Sequence, residues 1–177
     1  SGCFGLCESG PNIEIYPDGT FYSRIKIEDV DEIVEKHLCQ NEIVERLLNE
    51  DAKKEDKILP VHQVDFYKKQ EKIALRNCGI IDYNSIEEYI ALDGYHALAK
   101  VLTEMDRGEV IEVMKKSNLR GRGGAGFPTG RKWETAYKYE ADKKYVICNA
   151  DEGDPGAFMD RSILEGDPHS VLEGMAI

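Results

Sequence analysis

The stretch NLRGRGGAGFPTGRKW, residues 118–133, decides how the rest of the chain is interpreted. Five glycines fall within ten of its residues, and no acid occurs between Val113 and Trp133, in a chain of net charge −11. Such a local excess of cations indicates an anionic ligand. Glycine lets backbone N–H groups approach a phosphate or a flat ring, and a helix beginning near Arg131 would add its N-terminal dipole. The four basic residues around the glycines are Arg120, Arg122, Arg131 and Lys132.

Known phosphate-binding patterns fit this stretch only in part. Gly121, Gly123 and Gly126 satisfy G-x-G-x-x-G, but that fingerprint requires a preceding strand. Residues 109–116 (EVIEVMKK) instead predict a helix by the spacing of their apolar side chains. The P-loop pattern fails because no Gly-Lys-Ser/Thr closes the loop. An ordinary glycine-rich surface loop is the alternative to a ligand-binding loop.

A second polar stretch follows a short apolar one. Residues 144–148 (KYVIC) predict a strand, and the acids of 149–156 (NADEGDPG) come directly after it. Polar groups at the carboxyl end of a strand are where ligands bind in α/β folds. The acids could also form a solvated loop or, less in keeping with the ligand spacing of calcium loops, a divalent metal site. Residues 160–177 predict two helices separated by a turn at 166–168.

Length and composition restrict the class of protein. A chain of 177 residues forms one domain or two small ones, and 34 acids against 23 bases argue against general binding of nucleic acid or anionic membranes. No apolar run approaches the roughly 20 residues of a membrane span, and no signal peptide opens the chain. Five mostly isolated cysteines fit a reducing compartment, so a cytoplasmic location is expected.

The first part of the chain carries a cysteine pair and a hairpin pattern. Cys3 and Cys7 lie in a glycine-containing loop, where two free thiols, a redox pair or metal ligands are all compatible with C-x3-C. Residues 12–16 and 21–27 alternate as strands around a turn at 17–19. A helix is predicted from near Asp29, and residues 41–48 also have helical apolar spacing. Residues 49–56 (NEDAKKED) have the composition of a linker.

Two long motifs now identify a family. GRGGAGFPTGRKW at 121–133 and CNADEGDPGAFMDR at 148–161 resemble the NADH-binding, FMN-containing subunit of respiratory complex I, a module that recurs in soluble NAD(P)-linked hydrogenases and formate dehydrogenases. Residues 1–48 resemble the C-terminal half of a thioredoxin-like [2Fe-2S] ferredoxin domain. The resemblance implies an α/β fold class: that half-domain, a linker at 49–65, and the N-terminal part of an α/β FMN/NADH-binding domain at 66–177.

The resemblance implies the chemistry and its cofactors. A hydride passes from NAD(P)H to FMN, and electrons leave singly to iron–sulfur clusters. The expected cofactors are FMN, NAD(H) and a [2Fe-2S] cluster with Cys3 and Cys7 as half of its ligands, whereas a [4Fe-4S] cluster is expected only in a C-terminal part missing here. The implied cofactor-binding residues are Gly121, Arg122, Gly123, Gly124, Ala125, Gly126, Phe127, Lys132, Asn149, Asp151, Glu152 and Asp154, with Glu152 also as the catalytic candidate.

Individual roles are also implied by the resemblance. Arg122 and Lys132 would face the flavin phosphate, and Phe127 would offer an aromatic face to a ring of NADH. Asn149 and Asp151 would hydrogen-bond the flavin, while Glu152 and Asp154 would contact the nicotinamide nucleotide. Departures from the family pattern leave the choice between NADH and NADPH open. They include Asp154 in place of Glu, Thr135 in place of an aromatic residue, and Arg131 in place of Leu.

The implied partners are NADH and the other subunits of a multi-subunit redox complex, including a ferredoxin or a hydrogenase subunit. Neither nucleic acid nor direct membrane insertion is expected. As an isolated fragment the chain is expected to have little activity. Two alternatives belong to other classes: a nucleotide-binding or electron-relay module without catalysis of its own, and a structural interaction domain whose glycine loop merely packs.

Overall fold

The computed structural model describes residues 6–54, 57–58 and 63–177. Two compact units divide the chain, with the boundary between Arg76 and Asn77. This boundary lies beyond the linker predicted at 49–65, and the domain limits drawn from the resemblance stay a prediction. In the described residues, no helix has both the length and the apolar character that crossing a membrane requires.

The first unit contains the predicted hairpin. After a 3-10 turn at Cys7–Ser9, strand β1 (Ile13–Ile15) pairs antiparallel with β2 (Thr20–Tyr22), with Glu14 opposite Phe21. Gly19, at φ 72°, closes the turn and donates to the Ile15 carbonyl at 2.9 Å. The second strand is shorter than the 21–27 predicted, because the backbone turns at Arg24, which has a φ of 56°.

The helix predicted from near Asp29 is present. A 3-10 turn at Ile27–Asp29 leads into α1 (Val30–Glu32), which continues as a π-helical segment, Ile33–Cys39. The Asp29 carboxylate accepts from the Lys26 N–H at 2.8 Å and so caps the start. The backbone N–H of Lys26 and the Arg46 guanidinium hold the pKa of Asp29 below its usual range, with the backbone contact as the larger cause.

The prediction of a helix at residues 41–48 is wrong. The structure has only a 3-10 turn, Glu45–Leu47, because Asn41 adopts a φ of 58° and the Val44 N–H donates to the Tyr22 hydroxyl at 3.0 Å instead of to a helix carbonyl. The stretch nevertheless contributes to the core. Its apolar side chains are buried in one cluster, which comprises Tyr22, Ile25, Ile33, Val44, Leu47 and Leu48.

The remainder of the first unit has short elements. They are a 3-10 turn Glu50–Ala52, strand β3 (Lys53–Lys54) paired antiparallel with β4 (Lys57–Ile58), and helix α2 (Asp65–Lys68). Ala52, Val64 and Tyr67 form a second small buried cluster, with Leu6 packed against it. Part of the stretch predicted as linker is therefore packed.

The second unit is built from helices. The predicted helix at 109–116 and the pair of helices around 166–168 are confirmed. Asp106 and Glu109 form a reciprocal capping box at the start of α5 (Arg107–Lys116), and the Ser85 hydroxyl accepts from the Glu88 N–H at the start of α3 (Ile86–Ala91). The helices are α3 (Ile86–Ala91), α4 (His96–Glu104), α5 (Arg107–Lys116), α6 (Thr129–Lys138), α7 (Met159–Gly166) and α8 (Pro168–Ala176).

The strand predicted at 144–148 is not formed. These residues form no regular secondary structure, and the side chains of Tyr145, Val146 and Ile147 are 78%, 69% and 82% exposed. A strand needs a hydrogen-bonding partner, and the described part of this unit contains no other strand. The described residues thus combine helices with two small antiparallel sheets, which agrees with the α/β prediction only at that coarse level.

Candidate functional site

The glycine-rich stretch forms a closed loop between α5 and α6. The Gly121 N–H donates to the Phe127 carbonyl at 2.9 Å, and the Thr129 N–H donates to the Leu119 carbonyl at the same distance. These two bonds join the two ends of the loop and leave residues 122–126 as its tip. The local sequence therefore folds back on itself through its own backbone.

The tip of the loop is exposed and open. Gly124 and Gly126 have φ angles of +94° and +60°, a region that disfavours side chains with a Cβ. Gly123 has no such conformation, yet a Cβ built on any of the three glycines would meet nothing within 4 Å. At Gly123, neither the backbone angle nor internal packing requires glycine. Open space above an exposed backbone is what the close approach of a ligand needs.

The fifth glycine of the motif has a different role. Gly130 is buried in α6, where a Cβ would lie 2.6 Å from the Lys115 amide nitrogen and 2.8 Å from its Cα. Glycine at this position lets α6 cross close to the end of α5. Sequence reasoning grouped Gly130 with the loop glycines and missed this role. The available signal was its position two residues after Pro128, directly before the predicted helix.

None of the four cations of the motif makes an ion pair within the described residues, and three of them, unlike Arg120, whose Nη1 donates to the Gly126 carbonyl at 3.2 Å, make no side-chain hydrogen bond there either. They are Arg122, Arg131 and Lys132, and all three are exposed. Helix α6 begins at Thr129, two residues before the expected start, so Arg131 and Lys132 lie in its first turn, where the helix dipole is also positive. Cations at the positive end of a helix repel it, and an anion would relieve this repulsion.

An open groove lies beside the loop. Its volume is about 550 Å³, which falls in the range of small-molecule sites. The groove brings together Phe127 and Lys132, two of the predicted site residues, with Thr135, Tyr139 and Tyr145. Half-exposed Phe127 presents its ring at the rim of the loop.

The acidic loop, residues 149–156, presents most of its predicted ligand groups to solvent. The Asn149 side-chain oxygen accepts from the Asp151 N–H at 3.1 Å, and the Asp154 carbonyl accepts from the Ala157 N–H at 3.0 Å. The side chains of Asn149, Asp151 and Asp154 are exposed. Across the described residues, no hydrogen bond or ion pair joins this loop to the glycine-rich loop.

Glu152 differs from the other acids of this loop. Its Oε1 accepts from the Asp160 N–H at 2.7 Å and its Oε2 from the Arg161 N–H at 3.1 Å, both in the first turn of α7. Its backbone has a φ of +46°. Sequence reasoning missed this contact, because a cap that acts eight residues away leaves no local pattern.

The cysteine side chains that the structure describes do not form a cluster site. Cys3 lies outside the described residues, and only the backbone of Cys7 is described, so their predicted role as cluster ligands stays a prediction. Cys78 is buried, with its Sγ 3.8 Å from the Ser162 carbonyl, whereas Cys39 and Cys148 are exposed. Where the structure describes the chain, no three His, Cys, Asp or Glu side chains are grouped to hold a metal ion.

Comparison with known families bears on the same residues. Residues 114–177 match the family described as the Nuo51 FMN-binding domain, a range that includes both the glycine-rich and the acidic loop. The match confirms the resemblance drawn from the two motifs, and the matched family's description names FMN, the predicted cofactor.

Individual relatives agree with this match. NADP-reducing hydrogenase subunit HndC of Solidesulfovibrio fructosivorans is 66% identical over 110 residues, covering 62% of this chain and 22% of the relative. One of the NADH-quinone oxidoreductase subunits of Rhizobium meliloti is 51% identical over 107 residues, covering 60% of this chain and 25% of the relative. The chain therefore aligns with about a quarter of the length of these relatives.

The solved structures that match include one ferredoxin. It is a thioredoxin-like [2Fe-2S] ferredoxin from Aquifex aeolicus, 56% identical in sequence, with coverage of 27% of this chain and 44% of that chain. The TM-score is 0.27.

Proposed function

We propose that this chain supplies the FMN-binding part of an oxidoreductase subunit that oxidises NAD(P)H, within a multi-subunit redox assembly of the cytoplasm. The observation that carries the proposal is the open glycine tip at 122–126, beside cations that make no ion pair with any described carboxylate. The family match over the same residues supports it.

The residues present fit FMN. The exposed backbone of the glycine tip can approach the flat flavin ring, and Arg122 and Lys132 can bind the phosphate of FMN. Asn149 and Asp151 can hydrogen-bond the polar edge of the flavin, and Phe127 offers a ring face to a second aromatic group. When bound, FMN supplies hydride acceptance from NAD(P)H and the release of single electrons. The protein residues bind and orient FMN and the nucleotide, and the carboxylate of Asp154 would contact the nucleotide.

Replacing Gly123 with Val tests the loop. Because a Cβ at Gly123 meets nothing within 4 Å, Gly123→Val should leave the unfolding temperature nearly unchanged. It should weaken FMN binding by tenfold or more if the backbone contacts the flavin, and flavin content of the full-length protein measures this. The matched control is Gly174→Val in α8, where a Cβ also meets nothing within 4 Å. Equal flavin content in all three proteins would reduce the loop to a packing element.

A second experiment separates oxidation from mere nucleotide binding. Addition of NADH to the anaerobic, flavin-loaded full-length protein should bleach the flavin absorbance. Binding of NADH without bleaching would instead support an electron-relay or nucleotide-sensing module. Absence of any flavin would favour a structural interaction domain.

We further propose that Cys3 and Cys7 supply two thiolates of a [2Fe-2S] cluster. Such a cluster held by cysteines needs four thiolates. Since only Cys3 and Cys7 of this chain are proposed as ligands, a monomer should hold no stoichiometric cluster after anaerobic reconstitution. Iron analysis and visible spectra measure this. A stable cluster in a demonstrated monomer would contradict the assignment of two missing ligands.

A further inference from the structure

We infer that Glu152 is a positioning residue, whose carboxylate fastens the acidic loop to the first turn of α7 and thereby sets the placement of Asp151 and Asp154. This inference rests on the proposed function for its consequence, but its geometry stands by itself. It replaces a direct contact between Glu152 and the nucleotide with an indirect role through the neighbouring acids.

The hydrogen bonds of Glu152 meet a need of α7. The first N–H groups of a helix have no acceptor within the helix. Phe158, the residue at the N-cap position, makes no side-chain cap hydrogen bond, because it has no polar group to offer. Both Glu152 carboxylate oxygens fill this need, at 2.7 Å to the Asp160 N–H and 3.1 Å to the Arg161 N–H. A negative charge at a helix N-terminus is stabilising in addition.

The backbone of Glu152 carries a cost that these bonds offset. A φ of +46° is uncommon for a residue with a Cβ, and glycine would adopt it more readily. A carboxylate that turned toward ribose hydroxyls would release two helix N–H groups and leave this conformation without support. The geometry therefore favours the fastened state of the side chain.

The placement of the other acids depends on this contact. Asp151 precedes Glu152 directly and Asp154 follows two residues later, so the loop segment that carries both is held at Glu152. Loosening the contact should disturb the flavin partner Asp151 and the nucleotide partner Asp154 together. A residue that only bound the nucleotide would leave flavin affinity intact.

Amide hydrogen exchange in the protein without flavin or nucleotide tests the fastening. Glu152→Ala should raise exchange at Asp160 and Arg161 by about tenfold or more, the size expected when a hydrogen bond to a charged acceptor is lost. Glu152→Gly should raise exchange at these amides equally, although glycine adopts the positive φ without strain. This variant therefore distinguishes the effect of losing the carboxylate from the effect of the backbone conformation. Asp154→Asn is the control, because the described contacts of Asp154 do not reach α7. It should leave exchange at the Asp160 and Arg161 amides unchanged. Unchanged exchange in Glu152→Ala would overturn the inference.

Ligand binding by the full-length protein tests the consequence. Glu152→Ala should weaken FMN binding and raise the KM for NADH together, each by about tenfold. Glu152→Gln should recover part of both losses, because its side-chain carbonyl can still accept one of the two bonds. A higher KM with unchanged FMN affinity would overturn the positioning role in favour of direct nucleotide contact. Faster exchange in a protein that never binds FMN would support the fastening and refute the proposed function.

Discussion

Glu173 is a buried carboxylate of α8 that joins this helix to α3 and α4. Its Oε2 accepts from the Tyr89 hydroxyl at 2.6 Å and the Tyr95 N–H at 3.0 Å, and its Oε1 accepts from the Leu98 N–H at 3.1 Å. Burial raises the pKa of Glu173, but these hydrogen bonds together outweigh it and lower the pKa below its ordinary value. The charged form is therefore the one that stabilises the fold.

Replacement of Glu173 should lower stability in a pH-dependent way. Glu173→Gln should reduce the free energy of unfolding by about 1–3 kcal/mol at pH 7, because donors lose a charged acceptor inside the protein. Since the folded pKa is depressed, the contribution is present above the unfolded pKa of about 4.3 and is lost as pH falls through the folded pKa. Urea unfolding at pH 7 and pH 3 measures it. Glu165→Gln, which changes only an exposed pair with Arg161, should change stability by less than about 0.5 kcal/mol.

Asp154 should influence nucleotide choice. A carboxylate suits ribose hydroxyls but repels a 2′-phosphate, so we expect NADH to be preferred over NADPH, although Arg131 acts in the opposite direction. After screening, the repulsion should amount to about 1–2 kcal/mol, or roughly tenfold in relative kcat/KM. Asp154→Asn should narrow the preference with flavin still bound. A wild-type protein that favours NADPH, or an unchanged ratio in the variant, would contradict this role.

The crossing of α5 and α6 depends on one missing side chain. Gly130→Ala places a Cβ within 2.6 Å of the Lys115 backbone, so the helices must separate, at a cost of about 1–3 kcal/mol. Gly174→Ala is the matched control, because its Cβ meets nothing within 4 Å and alanine favours helix by about 0.5–1 kcal/mol. Thermal unfolding should show opposite shifts. A stable Gly130→Ala protein would show that the helices can repack.

Local patterns predicted the elements whose stabilising contacts are local. The hairpin at Gly19, the helix at 109–116 and the two C-terminal helices follow from residues within a few positions of each other. The elements at 41–48 and 144–148 were predicted wrongly, because a distant tyrosine hydroxyl redirects one and the other lacks a pairing strand among the described residues. The Glu152 contact was likewise beyond reach, as helical periodicity does not specify which carboxylate caps α7.

The two units should respond separately to mutation. In the first, the Tyr22 hydroxyl accepts from the Val44 N–H and lies 2.7 Å from the His37 Nδ1; in the second, Glu173 joins α8 to α4. Tyr22→Phe should speed amide exchange only among residues of the first unit, and Glu173→Gln only among those of the second, since each unit has its own buried side chains. Exchange that rises across both units in either variant would show one cooperative fold.

The unpaired segment Tyr145, Val146 and Ile147 has a consequence for the handling of the protein in the cell. Three consecutive residues with high β-propensity and largely exposed side chains form an aggregation-prone segment, of the kind that chaperones bind. Lys143 and Lys144 stand directly before it, where charged residues act as gatekeepers against self-association. We therefore expect Lys143 and Lys144 to limit self-association of this exposed segment during synthesis.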